Sequence, residues 1–298
     1  MARTTKIIPS EDRRIAAWIK SWPKNSRLIT GPGDDCALLH PAGRGRWLVL
    51  KTDAVVQDVH FKLSAGPAAI GTKAVHRVLS DFAAMGARPE QLLITVGCPL
   101  HLSPGFIQKC YSAMSRIARR HGLGLAGGET TRSRELWFNI AATGSVQAGR
   151  SPLRSGARPG HVIYVTGSLG GAAAGRHLTF TPRLREGLWL AEQRLASAMM
   201  DLSDGLGKDL PRLAAASRVS FAIETARLPL TRGCTASQAI NDGEDYELLF
   251  TVPARLVVRL EKDWPFKTKL TAIGKILPLR LNAQTGGVNF RGYDHFTR

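Results

Sequence analysis

QLLITVGC at 91–98, followed by HLSPGFIQKCYSAMSRIARRHG at 101–122, decides the fold class. The first string is a short apolar run and reads as a β-strand. In the second, Ser103 supplies an N-cap and Pro104 a first-turn proline. Phe106, Cys110, Ala113, Met114 and Ile117 then recur every three or four residues, so one helical face is apolar, and Gly122 ends it. A strand feeding directly into an amphipathic helix is the unit of an α/β protein.

The same alternation extends in both directions. Upstream, residues 67–85 read as a helix ending around Gly86 and Pro89, and WLVLK at 47–51 as a strand that residues 54–61 continue. The first thirty residues are basic and hold Trp18 and Trp22; Ile15, Trp18 and Ile19 suit one face of a short helix stopped near Pro23. Downstream, residues 137–146 read as another strand. Gly149, Pro152, Gly156, Pro159 and Gly160 then form a linker-like stretch, and the pattern restarts with a strand at 162–166. Helices are expected at 183–200 and 205–216, and strands at 246–252 and 269–276. Two domains, 1–148 and 149–298, follow from the linker and agree with a length of 298 residues.

Forty-one Lys and Arg against 23 Asp and Glu give a formal charge of +18. That raises the prospect of a nucleic-acid or anionic partner, and equally suits a small phosphorylated substrate. No basic helix or aromatic platform of a nucleic-acid reader occurs, so no specific nucleic-acid partner is expected. Apolar runs such as 92–96 fall far short of the roughly 20 residues of a membrane span, so no membrane partner is expected. Cys36, Cys98, Cys110 and Cys234 form no CxxC and no zinc spacing, which suits free thiols in the cytoplasm.

The acids are more informative than the bases. Asp34 and Asp35 lie in GPGDDCALL, Asp53 in KTDAVVQDVHF, Asp81 in VLSDFAAMGA and Glu129 in LAGGETTR. Asp201 and Asp204 lie in MMDLSDGLG, and Asp242, Glu244 and Asp245 in NDGEDYELLF. These read as short, glycine-flanked, turn-like positions with apolar neighbours. Each acid alone suits a turn or a cap. Together, partly buried carboxylates demand neutralisation, and hard divalent ions that bridge carboxylates to phosphates provide it. GPGDD is not a Walker loop. GSLGGAAAG at 167–175 lacks the Walker lysine and the dinucleotide fingerprint, although its glycines could offer backbone N–H groups to an anion.

Taken in order, GPGDDCALL, TDAVVQDVHF, LSDFAAMGA, GGETTR, HVIYVTGSLG, HLTFTPR, ASAMMDLSDGL, NDGEDYELLFTV and GYDHF resemble the thiamine-monophosphate kinase family along nearly the whole chain. That family shares its superfamily with the aminoimidazole ribonucleotide and selenophosphate synthetases. The resemblance implies an α/β (α+β) fold of two domains. The N-terminal sheet would pair with that of a second subunit in a homodimer, and the C-terminal domain would be an α/β sandwich. It implies Mg²⁺-dependent transfer of the γ-phosphoryl of ATP directly onto the phosphate of thiamine monophosphate, giving the diphosphate.

By motif match, Asp35, Thr52, Asp53, Asp81, Glu129, Asp201 and Asp204 would hold several Mg²⁺ ions, with Asp34 beside them. Gly128 on a nucleotide-binding turn, Glu129, Arg150 and Ser203 would contact ATP; His60, Glu244 and Tyr293 would contact thiamine monophosphate. Arg132 and Arg134 are further candidates for phosphate. The resemblance departs at two positions: Lys51 stands where serine is common, and Glu129 where aspartate is usual, adding one methylene. Neither removes the carboxylate cage.

The chemistry agrees with these roles. ATP and a phosphomonoester bring together several negative charges, so the reaction mainly needs neutralisation and in-line positioning. The acceptor phosphate is already largely ionised at neutral pH, its second pKa being about 6. No covalent nucleophile and no general base are therefore expected. The alternative is a paralogous kinase or synthetase acting on another phosphorylated heterocycle. A selenophosphate synthetase would need a cysteine or selenocysteine in the N-terminal segment, and residues 1–30 contain no cysteine.

Overall fold

The computed structural model describes residues 11–20, 23, 25–40 and 45–295. Trp22, and Phe296 at the end of GYDHF, lie outside the described residues. In chain order the elements are α1 (Glu11–Ile19), β1 (Leu28–Thr30), β2 (Ala37–Leu39), β3 (Arg46–Val56), α2 (Pro67–Ala84), β4 (Arg88–Cys98), α3 (Pro104–His121), β5 (Gly124–Arg132) and β6 (Trp137–Gln147). There follow β7 (Val162–Thr166), α4 (Leu184–Glu192), β8 (Ala198–Asp201), α5 (Leu206–Ser217), β9 (Ser220–Ile223), α6 (Ala236–Asn241), β10 (Leu248–Val252), α7 (Val257–Asp263) and β11 (Leu270–Leu277). The chain adopts the mixed α/β class that the alternation implies.

Two sheets organise these elements. The first has strand order β1-β2-β3-β6-β4-β5 and the second β8-β10-β7-β11-β9. Among the named strands of the described residues, only β4 and β5 pair in parallel, because α3 carries the chain back between them. Helix α3 has the expected ends: the Ser103 side chain accepts from the Phe106 N–H, and Gly122 closes the helix in the left-handed conformation. Cys110, Ala113, Met114 and Ile117 are its buried face.

Helix α2 is the spine of the molecule. It packs against α3, α4, β3, β6 and β8, and Ile70, Ala74, Val75, Val78, Leu79 and Phe82 are almost fully buried along it. The core around α2 takes in Tyr164, Met199 and Phe250 from the second sheet. The alternate residues Ile163, Val165, Met200 and Leu249 face a separate core under α5 and α6. The second sheet is thus buried on both faces, as the period of two along a strand requires.

Three sequence expectations are corrected. The helix expected at 183–200 stops at Glu192. Arg194 takes a left-handed backbone, and residues 198–201 become strand β8 because Met199 and Met200 pair with Phe250 and Leu249. Asp53 lies inside the long strand β3 rather than in a turn, and Asp81 lies inside α2. Gly128 and Glu129 belong to strand β5, paired with Ile94 and Thr95, and not to a turn.

Close approach of α2 to α3 depends on Gly71, where an added Cβ would stand 2.3 Å from the Cys110 carbonyl oxygen. Helix propensity alone favours Gly71→Ala by about 1 kcal/mol. The contact is with backbone, which cannot step aside, so overpacking reverses the sign. Gly71→Ala is expected to lower unfolding free energy by roughly 1–3 kcal/mol in urea titrations; a rise in midpoint would refute this packing.

Candidate active site

Asp35, Asp81 and Asp201 come from three separate segments, and each offers a carboxylate oxygen within 4.8 Å of the others. Asp35 follows the loop into β2, Asp81 sits in the last turns of α2, and Asp201 ends β8. All three are buried. Asp81 receives the Lys51 ammonium at 2.8 Å. Asp35 is gripped by Arg154 through Nε at 3.0 Å and Nη2 at 2.6 Å. Asp201 accepts from the Ser80 hydroxyl at 2.6 Å. Burial drives the Asp81 carboxyl well above its ordinary range despite Lys51, with Asp201, Asp53 and Asp35 adding to the rise. Burial and the charge of Asp35 push Asp201 up to about 6, and burial with Asp35 does the same to Asp34.

Such a donor set fits a hard divalent cation. Its atoms are carboxylate oxygens, they converge, and the raised proton affinity of Asp81 and Asp201 marks negative charge that the resident bases leave partly unanswered. Asp53 stands at the edge of this cluster with Arg77 3.3 Å away. Thr52 is exposed and its hydroxyl donates to Asn139.

A cavity of about 220 Å³ is reached from the carboxylates through Arg77, which pairs with Asp53, and through Ser203 and Asp204, which follow Asp201 in the chain. His60, Arg77, Ser203, Asp204, Glu244 and Tyr293 are among its lining residues. Three residues beyond Asp201, Asp204 is held by Arg212 at 2.6 Å and Lys208 at 3.2 Å. The His60 Nδ1 accepts the Val56 N–H. Burial, Arg77 and Lys73 hold that ring down at about 4. At neutral pH His60 is therefore uncharged, with its proton on Nε2. Arg77 donates to the Ala54 carbonyl at 2.7 Å, while its buried Nε has no acceptor among the described residues.

Glu244 occupies a left-handed backbone position, φ 66°, a strain typical of functional loops. Its carboxylate meets Lys73 at 2.5 Å and His177 at 2.8 Å. The fully buried Lys73 ammonium also donates to the His60 carbonyl and contacts the His177 ring. Burial opposes ionisation of Glu244, yet the His177 hydrogen bond and the Lys73 charge hold it at about 2. Burial likewise draws Lys73 down, to about 8, so at pH 7 the pair is charged.

Other candidate residues lie apart. In the strand order β3-β6-β4-β5, Glu129 is three strands from Asp53, on the order of 14 Å across the sheet. It is exposed and accepts from the Thr130 N–H. Gly128 lies against the Ile94 backbone, where a Cβ would stand 1.9 Å from its oxygen. Arg150 donates to the Glu192 carbonyl, and it is Arg154, four residues on, that reaches Asp35. Arg132, at the end of β5, and Arg134 are exposed. The glycine amides of 167–175 are already engaged: Gly170 donates to Asp245 and Gly171 to Asp242.

Sequence reasoning overlooked Lys73, Arg77, Arg154, His177, Lys208 and Arg212. A signal existed for two of them. Lys73 and Arg77 are the two cations of the otherwise apolar α2, and they precede Asp81 at spacings of four, which places all three on one face. Arg154 sits in a glycine- and proline-rich stretch that gives no such cue.

Residues 33–146 of this chain match the family model described as AIR synthase related protein, N-terminal domain. The thiamine-monophosphate kinase of Salmonella typhimurium is 34% identical, covering 92% of this chain and 94% of its own. A solved structure described as AaThiL complexed with AMPPCP and TMP superposes with a TM-score of 0.84 at 28% identity, covering 96% of this chain and 97% of that one. The crystal structure of thiamine-monophosphate kinase from Stenotrophomonas maltophilia gives 0.75 at 31% identity, covering 93% and 96%.

Lys73→Met would leave Glu244 with His177 and the Tyr246 hydroxyl. The Glu244 carboxyl is then expected to rise from about 2 toward its ordinary value, measured by NMR titration. Stability should fall by roughly 2–4 kcal/mol, below the about 3–5 of a fully enclosed pair because Glu244 keeps some solvent contact. An unchanged carboxyl titration would show that Lys73 does not hold Glu244.

Proposed function

The chain belongs to the thiamine-monophosphate kinase family, and from that premise we propose that it transfers the γ-phosphoryl of ATP to thiamine monophosphate. The observation that carries this reading is the buried Asp35–Asp81–Asp201 cluster together with a cavity large enough for part of a heterocyclic phosphate. Phosphoryl transfer asks for cations and alignment, and this site concentrates both.

Asp35, Asp81 and Asp201 would hold Mg²⁺, with Asp53 and Asp204 on either side. When bound, Mg²⁺ would neutralise and align phosphate oxygens. Ser80 and Arg154 fix the Asp201 and Asp35 carboxylates through the hydrogen bonds described above. Arg77 lines the cavity with its guanidinium fixed by Asp53 and the Ala54 carbonyl, and so adds positive charge to the wall that would face a phosphate. Tyr293 stands edge-on to His295, their rings 4.9 Å apart, and His295 lies 5.7 Å from the His60 ring. These aromatic groups offer a wall for the substrate's rings, with Glu244 opposite a cationic heterocycle. The acceptor phosphate carries its own negative charge, so the chain needs to orient the oxygen rather than deprotonate it.

The proposal includes domains 1–148 and 149–298, each contributing carboxylates to one cleft. It also includes a homodimer through the first sheet. Strand β5 lies exposed along its length, and Leu93 and Leu125 present apolar surface there, as an uncovered pairing face would. In that assembly Gly128, Glu129, Arg150 and Ser203 would contact the nucleotide. The four free cysteines suit the cytoplasm. Among the described residues, no helix is long and apolar enough to cross a membrane.

Purified protein given ATP, Mg²⁺ and thiamine monophosphate is expected to yield thiamine diphosphate and ADP, and free thiamine should not be phosphorylated. Asp201→Asn should lower turnover on the order of 100-fold without unfolding the chain. Phosphorylation of thiamine in place of its monophosphate would overturn the substrate, and near-normal turnover of Asp201→Asn would overturn the role of the cluster.

A further inference from the structure

Each outer carboxylate of the cleft already has a basic partner inside the protein: Asp35 has Arg154, Asp53 has Arg77 and Asp81 has Lys51. The Lys51 partnership differs in kind. Arginine grips Asp35 as a planar fork, whereas the Lys51 ammonium is a compact point charge meeting a single oxygen, Asp81 Oδ1, at 2.8 Å. It rises from strand β3, two residues before Asp53, with under a quarter of its side chain exposed. The 2.8 Å ion pair thus sets a lysine ammonium against one of three carboxylates that lie within 4.8 Å of one another.

We propose that the Lys51 ammonium is a resident cation of the carboxylate cluster, occupying through Asp81 a place that a divalent ion would otherwise take. A divalent ion bridging Asp81 to its neighbours would crowd this ammonium and be repelled by it. The cluster then holds one divalent ion fewer than its carboxylates could support. Part of the neutralisation is built into the chain and needs no metal. This inference rests on the reading of the cluster as a divalent-ion site.

The test counts Mn²⁺ ions bound per chain, without nucleotide, from the electron paramagnetic resonance of the free ion. Wild type is compared with Lys51→Gln, Lys51→Ser, Lys51→Arg and Asp201→Asn. Lys51→Gln and Lys51→Ser are each expected to bind one more Mn²⁺ than wild type, and Lys51→Arg to keep the wild-type count. Mn²⁺ should raise the melting temperature of Lys51→Gln by more than it raises that of wild type. A neutral variant that folds only when Mn²⁺ is present supports the same role. Equal counts across the Lys51 series, with an ion lost in Asp201→Asn, overturn the resident-cation role and leave the metal reading standing. No Asp201-dependent Mn²⁺ in any variant overturns both.

Discussion

Three buried aspartates from distant parts of the chain must share one small volume, and much of the architecture answers that constraint. Burying a carboxylate without compensation is costly, and placing three together compounds the cost. The compensation also ties the molecule together. Arg154, from the segment between the two sheets, holds Asp35 of the first sheet's loop. Ser80 of α2 holds Asp201 at the end of β8 in the second sheet. The polar contacts at the cluster therefore run along the same seam that the apolar face of α2 packs. A change in the relative position of the two sheets would break hydrogen bonds and expose core together.

The net charge of +18 takes on a different meaning once partners are assigned. Bases at the cleft, including Lys51, Arg77, Arg154, Lys208 and Arg212, are committed to carboxylates and contribute little free field. The excess is carried elsewhere on the surface, for example along the exposed side of α3, which ends in Arg119, Arg120 and His121. A positive exterior around a cleft whose own bases are already paired favours the approach of anionic substrates over long range, an effect screened by salt. Local neutralisation and long-range attraction are thus assigned to different groups of residues.

The larger fold was legible because its long elements carry strong periodicity. The strand at 91–98 and the helix closed by Gly122 stand as read. What escaped were elements whose identity comes from neighbours. GLAGGETTR has no apolar alternation, yet it is strand β5 because β4 supplies its hydrogen bonds. AMMD continued a helical pattern and is strand β8 because it pairs with β10. At the site, the acids stood out in short motifs with apolar neighbours, and Asp35, Asp81 and Asp201 do converge. Their partners were hidden for a physical reason. A lysine or arginine in a basic protein is unremarked until the fold removes it from water, and Arg154, in its glycine- and proline-rich stretch, is the clearest case.

The two kinds of buried charge in this cleft have opposite energetic characters. Glu244 is over-satisfied: Lys73 and His177 hold it ionised far below its ordinary range, so that wall is rigid before any ligand arrives. Asp81 and Asp201 are under-satisfied, and their protons are held more tightly than in a free side chain. A cation entering there displaces that proton affinity and relieves repulsion, so binding and folding stability are linked at this point. Rigidity is thus concentrated at the cavity wall and unspent electrostatic demand at the carboxylates. That division suits a site that must present a fixed surface to one partner while drawing cations, and the phosphates they accompany, toward another.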